Sequence, residues 1–138
     1  MTNVTINKQV RLSEHFTLAE LCKTSVRTAD RNIPSHAAIE NLKRLCGWLE
    51  MLRSEWNKRY AGWKMDDGRW KMGNEPLIIN SGYRSPQVNK AVGGVATSNH
   101  LTGCAVDIRV LGMEQLLRYA VILLDISDES QEDFDELL

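Results

Sequence analysis

An α+β domain, with a small sheet packed against helices, is the architecture this sequence predicts. Two observations carry that expectation. Residues 34–60 repeat their apolar side chains every three or four positions, the period of a helix with one buried face. Downstream, "PLIIN" and "GCAVDIRV" are apolar runs of strand length, separated by turn residues and a short helical pattern. The chain has 138 residues, 43% hydrophobic and 25% charged, which suits one domain with a packed core. It shows no internal repeat and no linker, so residues 1–138 are expected to form a single domain.

Each element has a local reason. Residues 1 to 12 read as an extended, weakly ordered lead-in. "TLAEL" supplies a capping box, Thr17 as N-cap and Glu20 three positions on. Phe16 and Leu21 stand where a hydrophobic staple would, so a short helix is expected over about 18–23. Ile39, Leu42, Leu45, Leu49, Leu52 and Trp56 form one stripe, with Glu40, Lys43, Arg44, Glu50 and Arg53 largely between them. That is a scaffold helix of roughly 20 residues. Residues 60–75 carry a D-D-G turn signal and read as an inserted hairpin or long loop. There Trp63 and Trp70 either line a binding surface or cover core. After "PLIIN", Ser85 is an N-cap with Pro86 at the first helical position, and Gly93-Gly94 ends the helix. "MEQLLRYAVILLD" is a second amphipathic or buried helix, followed by an acidic tail.

Composition narrows the partners. A net charge of −1 gives no electrostatic reason to expect nucleic acid or an anionic membrane. The run "YAVILL" is far too short to span a bilayer, and "MTNVTINKQV" lacks the pattern of a secretory signal. The expectation is a protein cytoplasmic as synthesised, unless something else releases it. Cys22, Cys46 and Cys104 are few, odd in number and widely spaced, which fits reduced, buried cysteines.

The chemistry concentrates in "TSNHLTGCAVDI", residues 97–108. Strand alternation through "CAVDIRV" places Cys104, Val106, Ile108 and Val110 toward the core. Ala105, Asp107 and Arg109 then share the other face, where His100 meets Asp107 across the turn at Gly103. An imidazole nitrogen and a carboxylate oxygen are half of a catalytic zinc site, which uses three protein ligands and leaves a position open. Without further context most such pairs are a solvated histidine and a capping or paired aspartate, as in a structural protein.

The run Ser98-x-His100-x-x-Gly103-x-Ala105-x-Asp107 resembles the signature of the zinc D-Ala-D-Ala carboxypeptidase family, which includes peptidoglycan-cleaving carboxypeptidases and phage endolysins. Upstream, Ser81-Gly82-Tyr83-Arg84-Ser85 looks like its substrate-side segment. "LSEHFTLAEL" and "IPSHAAIENLKRLC" look like the opening of a phage- and prophage-associated branch, so the likeness runs from about residue 12 to 110. The resemblance implies a mostly antiparallel sheet of the hedgehog/carboxypeptidase type. It makes His100 and Asp107 zinc ligands, and it places Arg84, Ser98 and Tyr83 against a peptidoglycan stem peptide. It gives Gly103 and Ala105 the role of small residues beneath the ion.

The same resemblance calls for a third ligand, a histidine in a segment shaped like E-x-x-W-x-H whose glutamate is the general base. After His100 the sequence has no histidine, and all four tryptophans precede residue 71. His15 and His36 fall in segments that resemble non-catalytic parts of the family, while Glu132, Asp135 and Glu136 belong to the acidic tail. No general base is identified. The expectation is a domain truncated at its C-terminal side relative to the family, with zinc weak or absent. It would be either an incomplete peptidase or a module that holds wall peptide without cutting it.

Overall fold

The computed structural model describes residues 7–61, 64–71 and 73–130. Its elements are α1 (Leu18–Leu21), α2 (His36–Arg59), β1 (Lys64–Asp66), β2 (Arg69–Lys71), β3 (Ile79–Ser81), α3 (Pro86–Ala91), β4 (Asp107–Ile108) and α4 (Met113–Ser130), with a 3-10 turn at Asn99–Thr102. The architecture is α+β, with two separate two-stranded antiparallel sheets, β1–β2 and β3–β4.

The α1 capping box forms on both sides. The Glu20 amide donates to Thr17 Oγ1 at 3.3 Å, and the Thr17 amide donates to Glu20 Oε1 at 3.2 Å. Phe16 and Leu21, 1% and 0% exposed, enter the same core. The lead-in departs from expectation over its second half. The Leu18 amide donates to the Val10 carbonyl at 2.8 Å and the Ala19 amide to the Lys8 carbonyl at 2.6 Å, so residues 8–10 are tied onto the helix they precede. Residues 1–6 lie outside the described residues.

The core is built on α2. Leu42, Leu49 and Leu52 are fully buried, each worth about 1.5–3 kcal/mol of transfer free energy. Across α2 packs α4, burying Tyr119, Ile122, Leu123 and Ile126 while Met113, Leu117, Val121 and Leu124 stay exposed. Trp56 joins the helices with an edge-on contact to Tyr119, centroids 5.0 Å apart. Residues 64–71 form a hairpin. Asp67 and Gly68 both have positive φ, 51° and 74°, as a two-residue turn matched to strand twist requires. Trp63 and the side chain of Trp70 lie outside the described residues.

"GCAVDIRV" is corrected by the structure. Only Asp107–Ile108 pairs as strand, against β3, with Ile79 opposite Ile108 and Ser81 opposite Asp107. Alternation holds for exposed Asp107, buried Ile108 and exposed Arg109, but fails upstream. Ala105 and Val106 are both buried, and Cys104 is half-exposed rather than in the core. The cause is Gly103, at φ 76°. A Cβ there would stand 2.5 Å from the Ala38 carbonyl oxygen, so the turn sits directly on α2 and carries Ala105 down with it. Cys22 and Cys46 are buried as expected, and burial pushes their thiols up to about 11 and about 12.

Asn32 is the polar hub beneath the loops. It is 2% exposed, at φ 53°, a left-handed conformation that asparagine tolerates better than most residues. Its Nδ2 donates to the Cys22 and Tyr83 carbonyls at 2.9 and 3.2 Å, and its Oδ1 accepts the Ser85 amide at 2.6 Å. Replacing it leaves three buried backbone groups unpaired, so Asn32→Ala is expected to cost about 2–4 kcal/mol in urea unfolding. A change below about 1 kcal/mol would mean that water replaces the amide.

Glu50 closes a second clasp, accepting the His15 amide at 2.8 Å and lying 2.6 Å from His15 Nδ1. Partial burial raises its carboxyl, but the neighbouring Ser13 hydroxyl and the His15 amide and ring outweigh that and hold it below its ordinary value. A carboxyl lowered by folding stabilises above its unfolded pKa, about 4.3, and that stabilisation is lost as pH falls through the folded value. Wild type should therefore lose stability more steeply in acid than Glu50→Gln. Parallel unfolding midpoints for the two proteins on acidification would refute this role.

Candidate metal and peptide site

The site lies where three segments meet: the turn after β3, the 3-10 turn, and the start of β4. Gly82 leads the first. The Tyr83 amide donates to the Leu21 carbonyl at 2.7 Å, and a Cβ on Gly82 would lie 2.1 Å from that oxygen, so only glycine permits the approach. The next residue turns toward the second segment, the Arg84 amide donating to the His100 carbonyl at 2.9 Å.

Ser98 caps the 3-10 turn, its hydroxyl accepting the His100 amide at 3.2 Å. The same oxygen accepts Arg84 Nη2 at 3.2 Å, which fixes the guanidinium to the cap. Arg84 Nε is buried without a hydrogen-bond partner, and so is Oδ1 of Asn89, which is 4% exposed. Arg84 thus keeps unused donor capacity, a suitable state for a group that meets a carboxylate or a polarised carbonyl. Tyr83 differs from its expected place. It is 6% exposed, packed in the core, with its hydroxyl directed to the Ile33 carbonyl at 3.5 Å. Its bulk supports the segment that carries Arg84 rather than opening onto it.

His100 and Asp107 come together as the sequence predicts. His100 Nε2 lies 3.6 Å from Asp107 Oδ2, with the side chains 12% and 58% exposed. On the other side of the ring, His100 Nδ1 is 2.6 Å from the Gly82 carbonyl oxygen. A carbonyl can only accept, so Nδ1 carries a proton, and the ring turns its Nε2 toward the carboxylate. A 3.6 Å separation suits a shared cation, because two ligands of a tetrahedral zinc ion lie about 3.4 Å apart. The backbone partner of Nδ1 is the support that metal-binding histidines ordinarily have.

These residues therefore fit two positions of a zinc site. Among the described residues no group of three or more His, Cys, Asp or Glu side chains is placed to hold a metal. Cys22 and Cys46 are buried, and their raised pKa values keep them as thiols. His15 is committed to Glu50. Glu132, Asp135 and Glu136 lie outside the described residues. Sequence reasoning missed Gly82 as the histidine's hydrogen-bond partner and Asn32 as the brace of the arginine segment. The left-handed tendency of asparagine before Ile33-Pro34 was the available signal for the latter.

Residues 14–123 match the family model described as Peptidase M15. A stretch of 46 residues is 41% identical to the zinc D-Ala-D-Ala carboxypeptidase of Streptomyces albus G, covering 33% of this chain and 18% of that protein. The chain thus spans less than a fifth of the curated relative it matches. No solved structure matches it. With the family model running through the whole of the site described above, the chain belongs to the peptidase M15 family.

Proposed function

We propose that this chain is a zinc peptidase domain acting on peptide bonds of the peptidoglycan stem, of D-Ala-D-Ala carboxypeptidase or endolysin type, on a hedgehog/carboxypeptidase-like fold. The observation that carries the reading is the His100 ring, fixed through Nδ1 to Gly82 with its Nε2 facing Asp107. His100 and Asp107 would hold the ion. When bound, zinc would supply polarisation of the amide carbonyl and a lowered pKa for the attacking water.

The chain's own groups do the positioning. Arg84, braced by Ser98 on one side and by its amide bond to His100 on the other, is set to bind the carboxylate or the carbonyl oxygen of the peptide. Ser98 already accepts two hydrogen bonds, and its own proton is available to a substrate acceptor. In this reading the domain carries residues 60–75 as an insertion. No described helix is long and apolar enough to cross a membrane.

A second reading has an observation in its favour. Among the described residues Asp107 is the only carboxylate within ion-pair reach of His100, so no third ligand or general base stands there. A module with the same fold could hold a wall peptide through Arg84 without cutting it.

Zinc titration by calorimetry, beside a stem pentapeptide assay, separates the two. The peptidase reading expects one zinc per chain, lost in His100→Ala, and hydrolysis that stops with a chelator. Peptide affinity indifferent to chelation, with no product after long incubation, would leave the binding module. Arg84→Ala is expected to weaken peptide binding by about 2 kcal/mol, the scale of a charge-assisted hydrogen bond.

A further inference from the structure

The exposed face of the β3–β4 sheet that carries Asp107 leads toward a concavity. Asp107 and Arg109 are alternate, exposed residues, about 7 Å apart along an extended backbone. Beside them Ile78 is 39% exposed, and the Arg109 amide donates to its carbonyl at 2.8 Å, so antiparallel pairing continues past the strand ends. At that end lies a cavity of about 310 Å³ whose lining includes Glu75, Ile78, Arg109, Leu111, Gln115 and Tyr119.

Its polar groups are not committed to one another. Among the described residues the Arg109 side chain has no ion pair or hydrogen bond, and Glu75 is not within ion-pair distance of it. One Glu75 oxygen accepts the Trp56 indole N–H at 2.7 Å, which leaves the other open. Tyr119 is 2% exposed, and no described group takes its hydroxyl proton. Burial, with the Glu75 carboxylate nearby, pushes that hydroxyl up to about 12, so it remains a donor at neutral pH. Gln115 uses its oxygen on the Leu111 amide at 2.6 Å and keeps its N–H groups. A free cation, two free neutral donors and a half-free carboxylate, around an aliphatic wall of Ile78 and Leu111, are the complement of a zwitterion on an aliphatic chain.

We infer that this cavity is a subsite for a peptide residue whose side chain ends in a free amino-acid group. That group separates diaminopimelate-type stem peptides from lysine-type ones, which end in an ammonium alone. Arg109 and Tyr119 take the carboxylate and Glu75 takes the ammonium. At about 3.3 Å per extended residue, the subsite sits some two residues along the peptide from the His100–Asp107 pair. The peptide context rests on the wall-peptidase reading above, whereas recognition of the zwitterion does not.

The test is an NMR titration of the full chain with three probes: the stem tripeptide ending in meso-diaminopimelate, its lysine counterpart, and free meso-diaminopimelate. The expected result is about tenfold tighter binding of the diaminopimelate peptide than of the lysine peptide. Arg109→Ala should bring the first down to the level of the second. Glu75→Gln, which keeps an acceptor for Trp56, should weaken it several-fold. Equal affinity for the two peptides in wild type overturns the subsite and leaves the peptidase reading in place. Shifts at Arg109 and Tyr119 with free meso-diaminopimelate, but with neither peptide, uphold the subsite and sink the wall-peptide reading. No response to any probe overturns the subsite.

Discussion

Two hydrogen bonds between the turn after β3 and His100 set the geometry on which the rest of the site depends. The Arg84 amide gives its proton to the His100 carbonyl, and the His100 ring gives its own back to the Gly82 carbonyl. The exchange registers two segments that are far apart in sequence and fixes the tautomer of the imidazole in the same stroke. Both partners are backbone carbonyls, whose acceptor character does not change with pH or side-chain rotation. The surrounding fold serves to hold the two segments together. Gly82 is pressed against Leu21, Asn32 bridges Cys22, Tyr83 and Ser85, and Gly103 seats the far end of the turn on α2.

That arrangement divides the site into a rigid half and an adjustable half. His100 is 12% exposed and bonded at ring, amide and carbonyl, so little rotational freedom remains to be lost on binding a cation. Asp107 is 58% exposed, and among the described residues its carboxylate has an ion-pair partner only in His100, so it can move toward an ion or away from it. Preorganisation thus resides in the imidazole and adaptability in the carboxylate. Arg84 follows the rigid half, because both its backbone and its guanidinium are tied to the 3-10 turn.

Local chemistry made much of this legible in the sequence. The Thr17–Glu20 box, the Ser85-Pro86 start of α3, the stripe along α2 and the Asp67-Gly68 turn each depend on neighbours within four residues, and each forms where it was expected. Reading failed where tertiary contact outranks local period. Alternation was carried through "GCAVDIRV" as if it were one strand, but Gly103 folds onto Ala38 and buries Ala105 and Val106 in succession. The partners of Asn32 were hidden for the same reason, since they lie ten and more than fifty residues away, and only its backbone tendency was local. The His100–Asp107 pair was legible because a single turn separates the two residues and alternation does hold from Asp107 onward.

The contrast between the turn and β4 also separates chemistry from selectivity. Residues that would polarise or orient a scissile bond sit on backbone fixed by buried contacts, where a displacement of one ångström would be costly to reactivity. Asp107 on β4 and Arg109 just past its end alternate outward on exposed side chains, over a sheet two strands wide among the described residues. Changing Arg109 alters no buried hydrogen bond, whereas changing Gly82, Asn32 or Gly103 disturbs the frame that holds His100. In the proposed reading, preference among peptides can therefore drift at Arg109 and its cavity at little structural cost, while the His100–Asp107 pair that would hold the ion cannot.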